Sequence, residues 1–173
     1  MAGTTTAALG AGGANGGVRN LTEQWNGSSW TEVNDINNTR YSMAGAGTVT
    51  SALISGGYNT GPMANTESWN GTNWTEVNNL NQTRYNFSGS GVSNTSALAF
   101  GGQPGTGDAT AKTELWTGSV WVETNDRNTA VVGPASAGTA TSALGFGGEG
   151  PPALAVTESW SVPSSTVKTI STD

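Results

Sequence analysis

Residues 66–77 read TESWNGTNWTEV, and this stretch decides how the rest of the sequence is interpreted. Two short segments rich in Thr and Trp flank Asn70-Gly71, a dipeptide typical of two-residue β-hairpin turns because both of its residues tolerate positive φ. Side chains alternate between the two faces of a strand, so the Glu and the Trp of each segment share one face. The stretch therefore predicts two antiparallel strands, Thr66–Trp69 and Asn73–Val77, joined by a type I′ turn.

The same pattern recurs along the chain with a period of about 45 residues, which indicates a repeat architecture. Two independent markers keep this period. A Gly-Gly pair begins at Gly12, Gly56, Gly101 and Gly147, and Thr-Glu-x-Trp begins at Thr22, Thr66, Thr113 and Thr157. The sequence therefore predicts a single domain, residues 1–173, built from four repeats at approximately 1–38, 39–82, 83–128 and 129–173.

Each repeat is predicted to contain four short β-strands, because its Thr- and Trp-rich segments are bounded by Gly, Asn or Pro and no window shows helical periodicity. In the second repeat, the first two strands are predicted at Tyr41–Thr48 and Ser51–Ser55. Small residues such as Ala44-Gly45-Ala46-Gly47 would let the first strands of successive repeats crowd together near a common axis. Aliphatic residues are scarce, so the structural core is predicted to rest on the tryptophans Trp25, Trp30, Trp69, Trp74, Trp116, Trp121 and Trp160.

These residues resemble the kelch repeat, in which the first strand follows Arg-Tyr, the second ends in Gly-Gly, the third ends in an aromatic residue and the fourth opens with Trp. The resemblance covers essentially the whole chain and implies a β-propeller of four kelch-like blades, each a four-stranded antiparallel sheet. The Trp-Asn-Gly variant is similar to the tandem kelch-like repeats of tailed-phage virion proteins, especially of the cyanophage type. The third copy departs from the pattern, since Thr39-Arg40-Tyr41 and Thr83-Arg84-Tyr85 become Thr129-Ala130-Val131.

The composition excludes several classes of function. The chain has no His and no Cys, which removes Ser-His-Asp and Cys-His catalysis, disulfides and ordinary zinc sites. A formal net charge of −6 with scattered Lys and Arg is unsuited to nucleic acid, whose phosphates need clustered positive charge. No segment approaches the roughly 18 to 20 apolar residues of a membrane span. We therefore expect no cofactor, no metal, no nucleic-acid partner and no membrane insertion.

Most of the acidic residues occupy repeated positions, namely Glu23, Glu32, Glu67, Glu76, Glu114, Glu123 and Glu158. Paired carboxylates could act as the acid and the base of a glycosidase, with Asp108 and Glu149 as further candidates. Catalytic pairs normally occupy unique positions, however, whereas these glutamates recur in every repeat. The preferred interpretation is therefore structural, with each Glu bound to Arg40, to Arg84 or to backbone donors between blades.

Loops that differ between the copies are the candidates for recognition. In an up-and-down sheet, the loop between the second and third strands and the linker to the next sheet emerge on one side, which we call the long-loop surface. It is predicted to comprise residues 14–21, 58–65, 103–112 and 149–156 with linkers 34–38, 78–82 and 125–128. Unless these loops are merely solvated, the binding side chains are expected to be Arg19, Tyr58, Met63, Asp108, Lys112, Glu149 and Leu154.

The resemblance implies a non-enzymatic virion module, a tail-fibre or other exposed appendage component that contacts a glycan or a protein of the host surface. One alternative is a capsid-decorating or architectural virion protein without a receptor, and another is a propeller glycosidase or lyase. Four blades are fewer than most kelch-like rings contain, so we expect a homodimer that closes an eight-bladed ring. A compact four-bladed monomer and an excerpt of a longer fibre chain are the alternatives.

Overall fold

The computed structural model describes residues 2–105, 107–150 and 155–162. Within these ranges, all regular structure is β, and fifteen strands form four antiparallel sheets. The described residues contain no helix, so none of them forms a helix that could cross a membrane. Sheet I contains β1 (Ala2–Gly3), β2 (Ala8–Ala14), β3 (Val18–Trp25) and β4 (Trp30–Val33), and sheet II contains β5 (Ala44–Gly47), β6 (Ala52–Ser55), β7 (Thr66–Trp69) and β8 (Trp74–Val77). Sheet III contains β9 (Ser88–Ser93), β10 (Ser96–Phe100), β11 (Thr113–Trp116) and β12 (Trp121–Glu123), and sheet IV contains β13 (Ala135–Gly138), β14 (Ser142–Phe146) and β15 (Thr157–Ser161). The predicted all-β architecture of short antiparallel strands is confirmed.

The strands lie close to their predicted positions. β7 spans Thr66–Trp69 as predicted, and β6 and β8 each begin one residue later than predicted. β5 is shorter than predicted because Tyr41 forms an isolated bridge with Tyr58 and Ser42 has a φ of 53°. The four-strand pattern also predicts a fourth strand of the last repeat near Ile170, which lies outside the described residues.

The Asn-Gly hairpins do not contain the predicted type I′ turn. Trp69 pairs with Trp74, so the loop between β7 and β8 has four residues, and its Asn70 N–H donates to Asn73 O at 3.3 Å. The Asn70 side-chain Oδ1 accepts the backbone N–H groups of Thr72 and Asn73, both at 2.9 Å. Of the Asn70-Gly71 pair only Gly71 has positive φ, 94°. The prediction was wrong because the asparagine side chain satisfies the turn amides, so one left-handed residue suffices.

Consecutive sheets pack face to face. We call the side of a sheet that looks toward the preceding sheet its leading face, and the side toward the next sheet its trailing face. Between sheets I and II, Leu9 and the linker residue Ile36 pack against Ile54, Trp69 and Trp74. The same layer recurs further along the chain, where Leu53 and Leu80 pack with Trp116 and Trp121, and Leu98 and Phe100 pack with Ala143 and Trp160. The core is thus three layers, one at each junction between sheets.

The first strands of sheets II, III and IV approach one another closely. A methyl group added to Gly89 would lie 3.1 Å from Cβ of Ala44, and one added to Gly91 would lie 3.2 Å from Cβ of Ala46. On the other side of β9, Ser88 Oγ donates to Ser136 Oγ at 2.7 Å. Larger side chains would clash at these contacts, which explains why the sequence keeps small residues in the first strand of each sheet.

The tryptophans differ in exposure. Trp69, Trp74, Trp116 and Trp121 are buried, whereas Trp25 and Trp160 are half-buried. Trp30 is 45% exposed, although its counterparts Trp74 and Trp121 are each 6% exposed. The expectation of a buried core residue therefore fails for Trp30. Trp74 and Trp121 each lie against the trailing face of the preceding sheet, and no preceding sheet covers Trp30 among the described residues.

Candidate binding surface and sheet junctions

A buried glutamate on the third strand organises the junction between sheets I and II. Glu67 is fully buried, and its Oε2 accepts the backbone N–H of Asn37 at 2.7 Å and the Asn37 side-chain amide at 2.8 Å. Its Oε1 accepts the N–H of Asn38 at 3.3 Å and pairs with Nη2 of Arg40. The linker after sheet I is therefore fastened to the third strand of sheet II through one carboxylate.

The guanidinium of Arg40 is enclosed as completely as the carboxylate. Its Nη1 donates to the carbonyl oxygens of Gly56 at 3.2 Å and Asn65 at 2.7 Å, while its Nε has no hydrogen-bond partner. Burial lowers the pKa of Arg40, and the charge of Glu67 opposes that change. Arginine keeps its proton in proteins, so the guanidinium presents a positive charge to the Glu67 carboxyl group.

The second junction repeats this arrangement. Arg84 Nη2 lies 2.5 Å from Glu114 Oε1, and Asn81 donates to Oε2 of the same carboxylate through both its backbone and its side chain. Arg84 Nη1 donates to the carbonyls of Gly101 and Lys112. Burial lowers the pKa of Arg84, again opposed by its glutamate. At these two positions, the structural interpretation of the repeated glutamates agrees with the geometry.

The third junction keeps the glutamate but moves the arginine. Asn128 donates to Glu158 through its backbone at 2.7 Å and its side chain at 3.0 Å, as Asn37 does to Glu67. Arg127, immediately before Asn128, pairs with Glu158 at 3.4 Å, while the fully buried Val131 takes the position of Arg40 and Arg84. Burial raises the pKa of Glu158, but hydrogen bonds from Asn128 and Thr129 and the charge of Arg127 together hold it below its ordinary value of 4.5.

This geometry corrects the alignment of the third linker by one residue. Val132 forms a bridge with Glu149 as Tyr41 does with Tyr58, so Ala130-Val131-Val132, and not Thr129-Ala130-Val131, corresponds to Thr39-Arg40-Tyr41.

Three tyrosines cluster around the loop 58–65, one segment of the predicted long-loop surface. The rings of Tyr41 and Tyr58 have centroids 5.6 Å apart, and those of Tyr58 and Tyr85 have centroids 4.9 Å apart with an edge-on orientation. Reciprocal backbone hydrogen bonds between Tyr41 and Tyr58, at 3.0 and 2.8 Å, hold the first pair in place. All three residues are partly exposed, and they are all the tyrosines of the chain. The cluster thus presents contiguous aromatic surface to solvent.

Of the predicted binding residues, only Tyr58 belongs to this cluster. Met63 is close by in the same loop, where its N–H donates to Gly57 O at 2.8 Å. Glu149 is exposed beside Val132, and Asp108 is exposed in its loop. Lys112 makes surface ion pairs with Glu123 at 3.6 Å and Asp126 at 3.5 Å. Arg19 is exposed on sheet I, donating to Asn15 O at 2.9 Å, and Leu154 lies outside the described residues.

The sequence did not predict Tyr41 and Tyr85 as members of this cluster. The signal was present, because Arg-Tyr recurs at 40–41 and 84–85, but it was interpreted as the start of a strand. In the structure each Arg points into a junction, and each Tyr lies beside the loop that follows Gly-Gly. The two adjacent residues therefore serve different purposes.

Sheets III and IV enclose a cavity of about 220 Å³ lined by Phe100, Thr113, Arg127, Glu158 and Trp160. In the two earlier junctions, a fourth-strand tryptophan occupies this region, since Trp74 donates its indole N–H to Thr22 Oγ1 at 3.1 Å and Trp121 donates to Thr66 Oγ1 at 3.0 Å. The corresponding position after Trp160 is residue 165, a serine outside the described ranges.

Within the described ranges, no group of three acidic, His or Cys side chains is arranged to hold a metal ion. A scan against protein-family models finds no family that matches the chain, and a search of curated proteins finds no significant relative.

Proposed function

We propose that the four sheets are blades of a kelch-like β-propeller. Two features support this arrangement: consecutive sheets pack leading face on trailing face, and the first strands of sheets II to IV contact one another through small residues. In a radial arrangement, the first strands would lie nearest the axis, where room is least. The second-to-third strand loops and the linkers would then share one rim of the ring.

We further propose that this scaffold is a non-enzymatic adhesion module of a virion, carried on a tail fibre or another exposed appendage, and that its long-loop surface attaches to the host surface. The observation that carries the proposal is the tyrosine cluster. Three partly exposed rings, one from a loop that differs between repeats and two from the recurring Arg-Tyr pair, supply amphipathic contact area at low cost in side-chain entropy, as tyrosines do in many binding surfaces.

The chemistry of the cluster favours a glycan over a protein as the first ligand to test. Tyrosine ring faces pack against the C–H faces of sugars, and polar groups nearby can fix orientation. Asn59 lies beside Tyr58, and Gln103 exchanges backbone hydrogen bonds with Tyr85 at 2.9 and 3.1 Å. The side-chain amides donate to Thr39 Oγ1 and to Gly107 O, both at 3.0 Å, so each keeps a carbonyl oxygen that can accept from a sugar hydroxyl.

Adsorption of the purified chain to host cells tests the proposal. We expect Tyr58→Ala and Tyr85→Ala, separately and together, to reduce adsorption while the thermal midpoint stays close to that of the parent chain. Replacing residues 103–112 by the loop 58–65 should also reduce adsorption. The control is Thr72→Ala in the hairpin loop at the opposite rim, which should leave adsorption intact. Competition by free polysaccharide from the host envelope distinguishes a glycan from a protein receptor.

Two other outcomes would redirect the assignment. If the chain is incorporated into particles and none of these variants changes adsorption, the architectural alternative replaces adhesion. If host polysaccharide is cleaved and Asp108→Asn or Glu149→Gln abolishes cleavage, the enzyme alternative is correct. Glu67 and Glu114 are poor catalytic candidates, because both carboxylates are enclosed and paired with arginine.

A further inference from the structure

We propose that the leading face of sheet I is a docking site for a further repeat of the same kind, and that this repeat supplies an arginine to Glu23. The proposal concerns the exposed face of the first sheet and does not depend on what the long-loop surface binds. It rests on the two internal junctions that follow sheets I and II, where the same set of groups is occupied.

The groups that bind a guanidinium in those junctions are present on sheet I without one. Arg40 binds Glu67 and the carbonyls of Gly56 and Asn65, and Arg84 binds Glu114 and the carbonyls of Gly101 and Lys112. In each case, the first carbonyl belongs to the first Gly of the Gly-Gly pair. The second belongs to the residue before the Thr of the repeated Thr-Glu-x-Trp motif. On sheet I these positions are Gly12, Leu21 and Glu23.

The three positions line an open cavity of about 440 Å³ on the leading face of sheet I, which also includes Trp30. Glu23 is exposed, whereas Glu67 and Glu114 are fully buried. Trp30, which is 45% exposed, lines the same cavity as Glu23. Trp74 and Trp121 each donate an indole hydrogen bond to a threonine of the preceding sheet. The face therefore carries both an acceptor for a guanidinium and a donor for a hydroxyl, side by side.

Glu23 needs an arginine from whatever covers the leading face of sheet I, and this need distinguishes a second copy of the chain from a further repeat. Sheet IV offers a matching trailing face, with Leu144 45% exposed where its counterpart Leu98 is 1% exposed, and with Thr157 exposed. The chain, however, contains four arginines. Arg40, Arg84 and Arg127 are already paired in junctions, and Arg19 lies on the leading face of sheet I itself. A second copy thus offers a trailing face without a free guanidinium, whereas a repeat that ends in Asn-x-x-Arg offers both.

The test adds one repeat to the full chain. Residues 45–88 are fused directly before Met1, which places the added copy of Arg84 at the same 27-residue separation from Glu23 that joins Arg40 to Glu67. We expect the thermal midpoint to rise by several degrees. With both tryptophans of the added copy replaced by Phe, the tryptophan emission should shift to shorter wavelength relative to the unfused chain, and the shift should be absent when Trp30 is also replaced by Phe. Glu23→Gln should lower the midpoint of the fused protein and leave that of the unfused chain unchanged. Arg84→Gln in the added copy should have the same effect as Glu23→Gln, and the two together should be no worse than either alone.

Three results would overturn the proposal. The fused repeat would fail to raise the midpoint or to shift the emission of Trp30. Glu23→Gln would change the fused and unfused proteins equally. Light scattering on the unfused chain would give twice 17.5 kDa, with Trp30 buried, in which case a second copy covers the face and the ring closes as a homodimer.

Discussion

Arg127 reaches Glu158 from the linker position that Ile36 and Leu80 occupy in the two preceding junctions, at an Nη2–Oε1 distance of 3.4 Å. The position of Arg40 and Arg84 holds Val131 in this junction. The cation and the aliphatic side chain have exchanged places four residues apart. The glutamate keeps a positive partner although the local sequence no longer matches the earlier copies.

Reversing this exchange should restore the arrangement of the earlier junctions. Arg127→Leu alone should destabilise the chain by about 1 to 3 kcal/mol, because Glu158 loses a charged hydrogen bond. Val131→Arg alone should also destabilise it, since two guanidinium groups would share one carboxylate. The double variant should recover most of both losses, because Gly147 and Val156 offer carbonyls where Gly56 and Asn65 do for Arg40. Urea unfolding of the four proteins gives the coupling energy, and strict additivity would contradict the equivalence of the two positions.

Glu67→Gln should be among the costly single substitutions. It leaves Arg40 charged, enclosed and without its counter-ion, which costs about 3 to 5 kcal/mol for a buried pair. Glu123→Gln is the matched control, because Glu123 pairs with Lys112 on the surface at 3.6 Å and exposed pairs contribute roughly 0 to 1 kcal/mol. Equal losses of unfolding free energy for the two variants would show that the Arg40–Glu67 pair does not support the junction.

Tryptophans at equivalent positions should differ in their contribution to stability. Trp74→Ala removes a buried ring and its hydrogen bond to Thr22, at a cost of about 3 to 5 kcal/mol. Trp30→Ala removes a ring that is 45% exposed, so its cost in the monomeric chain should be about 1 kcal/mol or less. Thermal unfolding by circular dichroism measures both. Similar losses would mean that Trp30 is covered in solution.

The first glycine of each Gly-Gly pair allows backbone strain and steric clash to be separated. Gly56 has a φ of 59°, and an added Cβ would lie 2.6 Å from Arg84 O and from the Phe87 ring. Gly147 has a φ of 64°, but no described residue lies within 4 Å of an added Cβ. Both Gly→Ala variants incur the left-handed penalty of about 1 to 2 kcal/mol, and Gly56→Ala should cost about 1 to 3 kcal/mol more through the clash. Gly61→Ala, with open space around it, is the neutral control in the same denaturation series.

Acid should weaken the attachment of sheet IV. The pKa of Glu158 is held below its ordinary value of 4.5 in the folded chain, so its ionised form stabilises the fold at pH values above the ordinary value. This contribution is lost as the pH falls through the folded-state pKa. The thermal midpoint of the parent chain should exceed that of Glu158→Gln at pH 7, and the difference should disappear in acid. A difference that persists at pH 2 would show that the contribution of Glu158 does not depend on its charge.

The sequence predicted what depends on local pattern and repetition. The strand positions followed from the repeated Trp and Gly-Gly markers, and the pairing of Glu67 and Glu114 with arginine followed from their common period. The prediction of a type I′ turn was wrong because the Asn70 side chain accepts the turn amides, so positive φ is needed only at Gly71. The role of Arg127 was hidden because its contact depends on three-dimensional equivalence to Ile36 and not on sequence identity. The tyrosine cluster was missed because it is formed by residues from a linker and a loop that only the packing of neighbouring sheets brings together.

The buried Arg–Glu pairs between neighbouring sheets have a consequence for how such a chain can change in length. Each linker carries the Asn and Arg donors, and each following third strand carries the Glu acceptor. Unequal recombination between gene copies that adds or deletes one whole period keeps every donor opposite an acceptor, wherever within the period the crossover falls. An event that removes one member of a pair and keeps the other would instead leave a buried charge without a partner at that junction, whereas loop length can vary, because Arg40 and Glu67 lie 27 residues apart and Arg84 and Glu114 lie 30 apart. Selection on these ion pairs would therefore favour growth and loss of the protein in whole-repeat steps, while the loops between the second and third strands remain free to diverge.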